Sequence, residues 1–416
     1  MPRRNFSFIS NSLSKGDYLN GLLQSFSWSG KRNQAKSMSI ISEYFEVPED
    51  QVFFYGAGRM SVMGLLKSIN VQSDDEVIVA GYTCVVLTNA VKFGGCKVKY
   101  VDIRKETLNL DTEKVLSSIS DRTRAIIVPH NFGLTYQDIK SIKEKHPNLV
   151  IIEDVAHSFG SKDSEGNKCG TLGDASFFSL EYSKPITAGL GGVMIVNNAK
   201  LLEGIQNSYA NSDVLPKGTA IKILLTLGML NLTFSQRSDF FQRIGMKALR
   251  TLRLNYKTSD KEIAGELPEN YPVRMHPLLS NVLIQQLKQL EAINTKKLAI
   301  VDNYQNVFGQ FKDLHQYEMN DQVLVRYPIV INEKISDETI AAIRKEAASE
   351  GILFGDWFND VIHPKGSYRY CYSEGNCPNG EWMANRMMNL PVNVHQQVSI
   401  ETLEIIAGIF RKHGLS

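Results

Sequence analysis

One stretch in the middle of the chain, residues 150–198, constrains the fold more than any other part of the sequence. It contains three short apolar runs, each with the length of a buried strand, and glycine-rich turn segments lie between them. Glu153 and Asp154 follow the first run, and Lys184 follows the second run. An acid after one strand and a lysine just beyond another predict a site in which the lysine amine reacts with a carbonyl group beside a carboxylate.

Similar apolar runs precede this stretch and are separated by helical patterns. They cover residues 52–55, 76–80, 96–101 and 125–128. Repeated strand–helix–strand alternation predicts a mostly parallel sheet with helices on both faces. Ligands of such sheets bind at the carboxyl ends of the strands, which is where the candidate residues of this chain fall.

Four segments carry a resemblance to a known family. Their order and spacing resemble the signature of the DegT/DnrJ/EryC1/StrS sugar aminotransferases, which use pyridoxal phosphate (PLP). The segments are residues 153–157 (EDVAH), 173–179 (GDASFFS), 183–184 (SK) and 187–192 (TAGLGG). The chain departs from the signature at Leu190, where the family usually has an acid.

The resemblance implies an α/β protein of PLP-dependent transferase fold type I, the aspartate-aminotransferase type. It implies a large cofactor-binding domain with a mostly parallel sheet over residues 1–258. Residues 259–416 would form a long helix and a smaller C-terminal α/β domain, with strands at 324–331 and 352–354 around a helix at 337–349. A weaker match around Arg274 implies a homodimer, although Pro272 replaces the asparagine that reaches the partner's phosphate in the family.

The resemblance also assigns roles to residues of the central stretch. Lys184 would hold PLP through its amine and later act as general base at the donor's Cα, while Asp154 would keep the ring nitrogen protonated. His157 would lie against the ring or its 3-hydroxyl, and Ser179 would donate to the phosphate. The alternatives are a solvated surface lysine and a helix-capping aspartate, but the occurrence of both at the family's spacing favours catalytic roles.

A glycine turn after residues 52–55 predicts an anion site at the N-terminus of a helix. The first-turn N–H groups of a helix lack helical partners, and the helix dipole is positive there. The family binds the cofactor phosphate at this turn, which in this chain comprises Gly58, Arg59 and Met60. Arg59 replaces a hydroxyl residue of the family, and an ordinary tight turn is the alternative interpretation.

The family also stacks an aromatic side chain on the PLP ring. The usual position falls on Cys84, so Tyr82 is the nearest aromatic candidate, with a core tyrosine as the alternative. His130 matches another family segment, where a structural hydrogen-bonding role is favoured over a substrate contact.

The function that the resemblance implies is PLP-dependent transamination. The substrate would be a nucleotide-linked keto-sugar, aminated by an amino acid donor in surface polysaccharide or secondary-metabolite biosynthesis. Some relatives have histidine at the position of Lys184 and catalyse dehydration, so the lysine favours transamination. Two alternatives stay open: another PLP reaction on a different substrate, or a non-catalytic relative, because Arg59, Cys84, Leu190 and Pro272 replace usually functional residues.

The composition and net charge of the chain indicate which partners and which cellular compartment to expect. A net charge of +2 over 416 residues gives no reason to expect nucleic-acid binding. The five cysteines are scattered without a C-x-x-C pair, which predicts neither disulfides nor a metal site and fits a reducing cytoplasm. The basic N-terminal residues 1–17 lack the apolar core of an export signal.

The segment from residue 214 to 258 is an unusual insertion in the large domain. It carries eight basic residues against Asp239 alone, and its longest uncharged run, residues 223–236, is too short to span a bilayer. One interpretation is a helical excursion packed on the domain or on a dimer partner. The other is an interfacial helix that makes peripheral contact with an anionic membrane.

Overall fold

The computed structural model describes residues 12–25, 29–235 and 240–416. The prediction that the N-terminus is not an export signal falls mainly on residues 1–11, which lie outside the described residues. Arg237 and Asp239, two of the charges counted in the insertion, also lie outside them.

A twisted sheet forms the centre of the fold. Strands in the first half of the chain are β1 (Val52–Tyr55), β2 (Glu76–Ala80), β3 (Thr83–Cys84), β4 (Lys97–Val101), β5 (Thr123–Pro129), β6 (Val150–Asp154), β7 (Ala175–Ser179) and β8 (Gly192–Val196). In the described part of the chain, seven of them pair in the order β1-β8-β7-β6-β5-β2-β4. Only the pairs made by β8 are antiparallel, so the predicted mostly parallel sheet is confirmed.

Helices cover both faces of this sheet, as expected for strands whose residues are almost all buried. The helices of the larger part of the chain are α1 (Lys15–Ser25), α2 (Gly30–Phe45), α3 (Gly58–Ser68), α4 (Val85–Gly94), α5 (Thr112–Ser118), α6 (Ile139–Lys145), α7 (Ala199–Ala210), α8 (Lys217–Leu232), α9 (Phe240–Thr251), α10 (Asp260–Ile263) and α11 (Ser280–Leu287).

The C-terminal part begins with the long helix α12 (Leu290–Phe308) and continues with three strands and three helices of the described chain. These are β9 (Arg326–Val330), α13 (Asp337–Ser349), β10 (Ile362–His363), α14 (Pro378–Arg386), β11 (Met387–Pro391) and α15 (Ile400–Lys412). β9 pairs with β11, whereas β10 pairs with β3 of the first half. One apolar cluster contains residues from both 78–151 and 293–415, so the two parts share buried surface. The domain boundary at residue 258 remains a proposal.

The strand predicted at residues 352–354 is wrong. The N–H of Ile352 instead donates to the carbonyl of Ala347 at 2.8 Å and so closes the end of α13, with Gly351 at φ +77° just before it. The partner strand of β9 is β11, further along the chain. A short apolar run after a helix looks the same in sequence whether it caps that helix or enters a sheet.

The insertion at 214–258 forms two helices that differ in environment. α8 carries most of the apolar residues and buries Ile223, Leu224 and Leu227 in the core. The hydroxyl of Tyr18 donates to the carbonyl of Leu224 at 2.9 Å, which ties α8 to α1. α9 buries only Leu249. Among the described residues, no helix combines the length and the apolar character that crossing a membrane requires.

Candidate active site

The predicted catalytic residues come together at the carboxyl ends of β6 and β7. Asp154 is the last residue of β6, Ser179 is the last residue of β7, and these two strands are parallel neighbours. Lys184 lies in the turn after β7, where its N–H donates to the carbonyl of Glu181 at 3.0 Å. The carboxylate of Glu181 accepts the N–H and hydroxyl of Ser183, so the turn that carries the lysine is held from within.

The amine of Lys184 contacts the ring of His157. Its Nζ lies 3.0 Å from Nε2 of His157, whose Nδ1 accepts the N–H of Phe132 at 3.3 Å. Because Nδ1 is an acceptor, the proton of the neutral imidazole belongs on Nε2, which then donates to Nζ. That arrangement requires the lone pair of an uncharged amine on Lys184.

Burial also favours the uncharged forms of the titratable groups at this site. It lowers the pKa of Lys184, an effect that Glu181, Cys84 and Asp154 oppose in part. Burial also raises the pKa of Asp154, against the N–H of Ala156 and the charge of Lys184. For His157, burial first and the neighbouring cations second hold the pKa well below its ordinary value. An uncharged lysine amine is the nucleophilic form, so the site favours covalent chemistry at Lys184.

The N-terminus of α3 meets the same strand ends and forms a tight cradle. A Cβ on Gly192 would lie 2.5 Å from the backbone nitrogen of Gly58, and a Cβ on Gly58 would lie 3.4 Å from Cβ of Ser179. Only glycine therefore allows β8 to approach the first turn of the helix so closely. The first-turn N–H groups and the Ser179 hydroxyl fit a phosphate group, as PLP would require.

Neither the side chain of Arg59 nor the N–H of Met60 is available to a phosphate in the cradle. The guanidinium of Arg59 is paired with the carboxylate of Glu262, with Nη2 at 3.0 Å from Oε2, and it also contacts the hydroxyl of Tyr271 at 3.2 Å. The side chain of Arg59 therefore points to α10, and only its backbone belongs to the cradle. The N–H of Met60 donates to the carbonyl of Ala57 at 3.0 Å and is already used within the turn.

The structure corrects the aromatic candidate. Tyr82 has no exposed surface, and its hydroxyl donates to the carbonyl of Phe358 at 3.0 Å, so its ring is a core residue. The aromatic ring beside the lysine is that of Trp357, whose centroid lies 4.4 Å from Nζ of Lys184 and 4.7 Å from the ring of His157. Cys84 is only partly exposed, and burial raises the pKa of its thiol, an effect that the N–H of Val86 and the charge of Lys184 oppose in part.

Arg326 is a second site residue that sequence reasoning missed. Its guanidinium carbon lies 3.9 Å from the centroid of the Trp357 ring, and its Nη1 donates to Asn389 at 3.2 Å. Burial lowers the pKa of Arg326 to about 9, with Glu181 and Asp356 acting against this effect. Trp357 and Arg326 both lie far along the chain from the lysine turn and belong to no local motif, so no sequence signal pointed to them.

Glu153 of the motif segments and His130 hold neighbouring loops of the site in place. The carboxylate of Glu153 accepts the N–H groups of Gly170, Leu172 and Gly173 at 2.6–2.8 Å. His130 accepts the N–H of Tyr136 on Nδ1 at 3.0 Å, so its Nε2 donates to Glu153 at 3.1 Å. These contacts fit a structural role for His130.

The chain belongs to the DegT/DnrJ/EryC1/StrS aminotransferase family, whose model matches residues 52–410. It is therefore an aminotransferase, and PLP is its cofactor, in agreement with the chemistry of the cradle and of the lysine turn. The predicted α/β fold of the PLP-dependent type is confirmed by the same match.

Two relatives illustrate the range of similarity. An uncharacterized protein of Methanocaldococcus jannaschii is 27% identical over 335 residues, which are 79% of this chain and 77% of that protein. GDP-perosamine synthase of Escherichia coli O157:H7 is 35% identical over 148 residues, which are 35% of this chain and 40% of that enzyme. The second match spans less than half of the relative.

Solved structures show the same fold along the whole chain. A DegT/DnrJ/EryC1/StrS aminotransferase from Brucella abortus superposes with a TM-score of 0.72 at 19% identity and covers 99% of this chain and 100% of its own. NtdA from Bacillus subtilis, with its cofactor PMP bound, gives a TM-score of 0.73 at 17% identity, with coverage of 99% and 86%.

Proposed function

We propose that this aminotransferase converts a nucleotide-linked keto-sugar to an amino-sugar, with an amino acid as the donor. The observation that carries the catalytic part is the position of the Lys184 amine, whose Nζ lies 3.0 Å from Nε2 of His157 at the ends of β6 and β7. The sugar substrate is supported by membership of a family of sugar aminotransferases and by the similarity to an enzyme named GDP-perosamine synthase.

In this proposal the chain's own residues bind and orient the reactants. The cradle at Gly58 and Arg59, with the hydroxyl of Ser179, would hold the phosphate of PLP, and His157 and Trp357 lie beside the Lys184 amine that would bind the cofactor. When bound, PLP supplies an electron-accepting ring that stabilises negative charge at the donor's Cα. Lys184 would take the proton from that Cα, since burial lowers the pKa of its amine and so favours the basic form.

Asp154 has an electrostatic role in the same proposal. A carboxylate beside the pyridine nitrogen favours the protonated form of that nitrogen, and a protonated ring accepts electrons more strongly. Burial raises the pKa of Asp154 in the free protein, so the positive ring nitrogen is the partner that would keep this carboxylate ionised.

Quaternary structure and location complete the proposal. We expect a homodimer in which each site takes residues from the partner. Pro272 has no side-chain donor for the partner's phosphate, so Asn270 or Arg274 would make that contact instead. We expect a cytoplasmic setting, since all five cysteines are free thiols.

The test is a screen of nucleotide-linked keto-sugars with glutamate as the amino donor. We expect amination of at least one such sugar, and visible absorption of the lysine-bound cofactor at about 410–430 nm. The absorption band without amination of any keto-sugar would favour another PLP reaction. Absence of the band after incubation with PLP would favour a non-catalytic relative.

A further inference from the structure

The 214–258 insertion exposes an apolar surface that the fold itself does not cover. Within the described residues, eight of the fourteen large hydrophobic side chains that remain exposed belong to this insertion. The most exposed are Phe240 at 55%, Phe241 at 71%, Ile244 at 53% and Leu252 at 65%. All four belong to α9 or to the residue that directly follows it.

α9 is held firmly against α8 by one side. Gln242 donates to the carbonyl of Leu230 at 2.9 Å, Leu249 is buried, and a Cβ on Gly245 would lie 2.0 Å from the sulfur of Met229. These contacts fix which sides of α9 face outward. The helix is therefore preformed, and its outer surface has a defined orientation.

The outer surface of α9 is divided into an apolar strip and a basic strip. At about 100° per residue, Phe240, Phe241, Ile244 and Ala248 share one side of the helix. Arg243, Lys247 and Arg250 lie beside them, all exposed, and Arg253 follows the helix. No acidic residue occurs from residue 240 to 258, so the strip carries a concentrated positive charge.

Charge decides between the surfaces that could cover this face. In a two-fold interface centred on this helix, a second copy of the chain would bring the same basic residues against each other, because residues at a two-fold axis face their own copies. An anionic lipid surface would instead attract the basic strip while the phenylalanines enter the boundary between head groups and acyl chains.

We propose that the α9 face, defined by Phe240, Phe241, Ile244, Arg243, Lys247, Arg250 and Arg253, docks the enzyme on an anionic membrane surface. α8 buries Ile223, Leu224 and Leu227 in the core, and the most exposed apolar side chains of the insertion belong to α9 or directly follow it, so the membrane contact expected for the whole insertion is confined to α9. This docking does not depend on the identity of the sugar substrate.

The test is co-sedimentation of the full-length, PLP-loaded protein with vesicles of phosphatidylcholine alone or mixed with phosphatidylserine. We expect binding to the anionic vesicles at low salt and its loss at about 1 M salt, where the Debye length is about 3 Å. Each basic residue near the surface contributes about fivefold in partitioning, so replacing four of them by glutamine should lower binding by at least about a hundredfold.

Matched control variants distinguish vesicle binding through the α9 face from nonspecific adsorption of the protein. The basic variant combines Arg243→Gln, Lys247→Gln, Arg250→Gln and Arg253→Gln; its control neutralises four exposed lysines elsewhere, Lys200, Lys312, Lys334 and Lys345. The apolar variant combines Phe240→Ser, Phe241→Ser and Ile244→Ser; its control is Leu353→Ser, which removes a side chain that is 65% exposed. Both α9 variants should lose binding while both controls keep it.

Three outcomes would overturn the proposal. The wild-type protein could ignore anionic vesicles at low salt, or the lysine control could lose as much binding as the α9 basic variant. The apolar variant could also turn a dimer into a monomer in light scattering, which would make α9 a subunit interface that is not open to a membrane. Transamination of a soluble substrate should be equal in all variants, so failure of the membrane proposal is distinguishable from failure of the proposed function.

Discussion

The buried ion pair between Arg59 and Glu262 gives a prediction that separates a structural from a cofactor-binding role of the arginine. The side chains of these residues are 9% and 2% exposed, and the hydroxyl of Tyr271 donates to the same carboxylate at 3.0 Å. If the guanidinium serves the fold, Arg59→Met leaves a buried carboxylate with one neutral donor. The result should be a large loss of stability with little direct effect on the cofactor.

The expected loss follows from the burial of the pair. Removing one partner of a buried ion pair costs about 3–5 kcal/mol, because the remaining charge is uncompensated. Unfolding entropy of about 2.1 cal/mol/K per residue over 416 residues amounts to about 0.9 kcal/mol/K. The melting temperature of the cofactor-free protein should therefore fall by about 3–6 °C if the chain unfolds as one unit.

The assay is thermal unfolding of four proteins at one concentration: wild type, Arg59→Met, Glu262→Leu and the double variant. Each single variant should be strongly destabilised. The double variant should recover most of the loss, because apolar replacement of both partners of a buried pair is often neutral. PLP affinity, measured by titration of the visible absorption, should be nearly equal in all four.

The reasoning is refuted if Glu262→Leu leaves the melting temperature unchanged while Arg59→Met weakens PLP binding. That combination would show that the guanidinium serves the phosphate and that the pair with Glu262 contributes little.

Four further predictions concern the site, the core and the assembly. Lys184→Ala should abolish both transamination and the visible absorption of the lysine-bound cofactor, and a fully active variant would contradict the role of this amine. Asp154→Asn should keep the melting temperature but lower kcat by at least about a hundredfold, because a neutral amide cannot keep the ring nitrogen protonated; unchanged turnover would place the residue elsewhere. Lys297 lies fully buried on α12, its amine donates to the carbonyl of Pro185 at 3.1 Å, and burial lowers its pKa to about 7 from 10.5. Between these two pH values the unfolded chain holds a proton that the folded chain lacks, so stability should rise with pH; Lys297→Met should flatten that rise, as urea titrations from pH 7 to pH 10 can show. Light scattering at the concentration of full activity should give a homodimer, and a fully active monomer would contradict shared sites.

The sequence by itself determined the parts of this protein that depend on local spacing. Strand β1 has the bounds of its apolar run, and α13 has the bounds of its helical pattern, because the serine before it caps the helix with its side chain. The positions of Asp154, Ser179 and Lys184 at strand ends follow from the same runs, since parallel strands bring their carboxyl ends to one edge of the sheet. The family signature could be recognised for the same reason.

The tertiary structure decided which side chains face one another across long separations in the chain. By spacing, Tyr82 is the nearest aromatic to the family's position at Cys84, but packing places this tyrosine in the core and brings Trp357 to the lysine from the C-terminal part. The partner of Arg59 is Glu262, which no local pattern connects to it. The sequence does not distinguish α8 from α9 as helices of the insertion, yet α8 packs into the core whereas α9 buries only Leu249. The surroundings of a side chain depend on which distant elements pack around it, and the spacing of residues along the chain does not determine that packing.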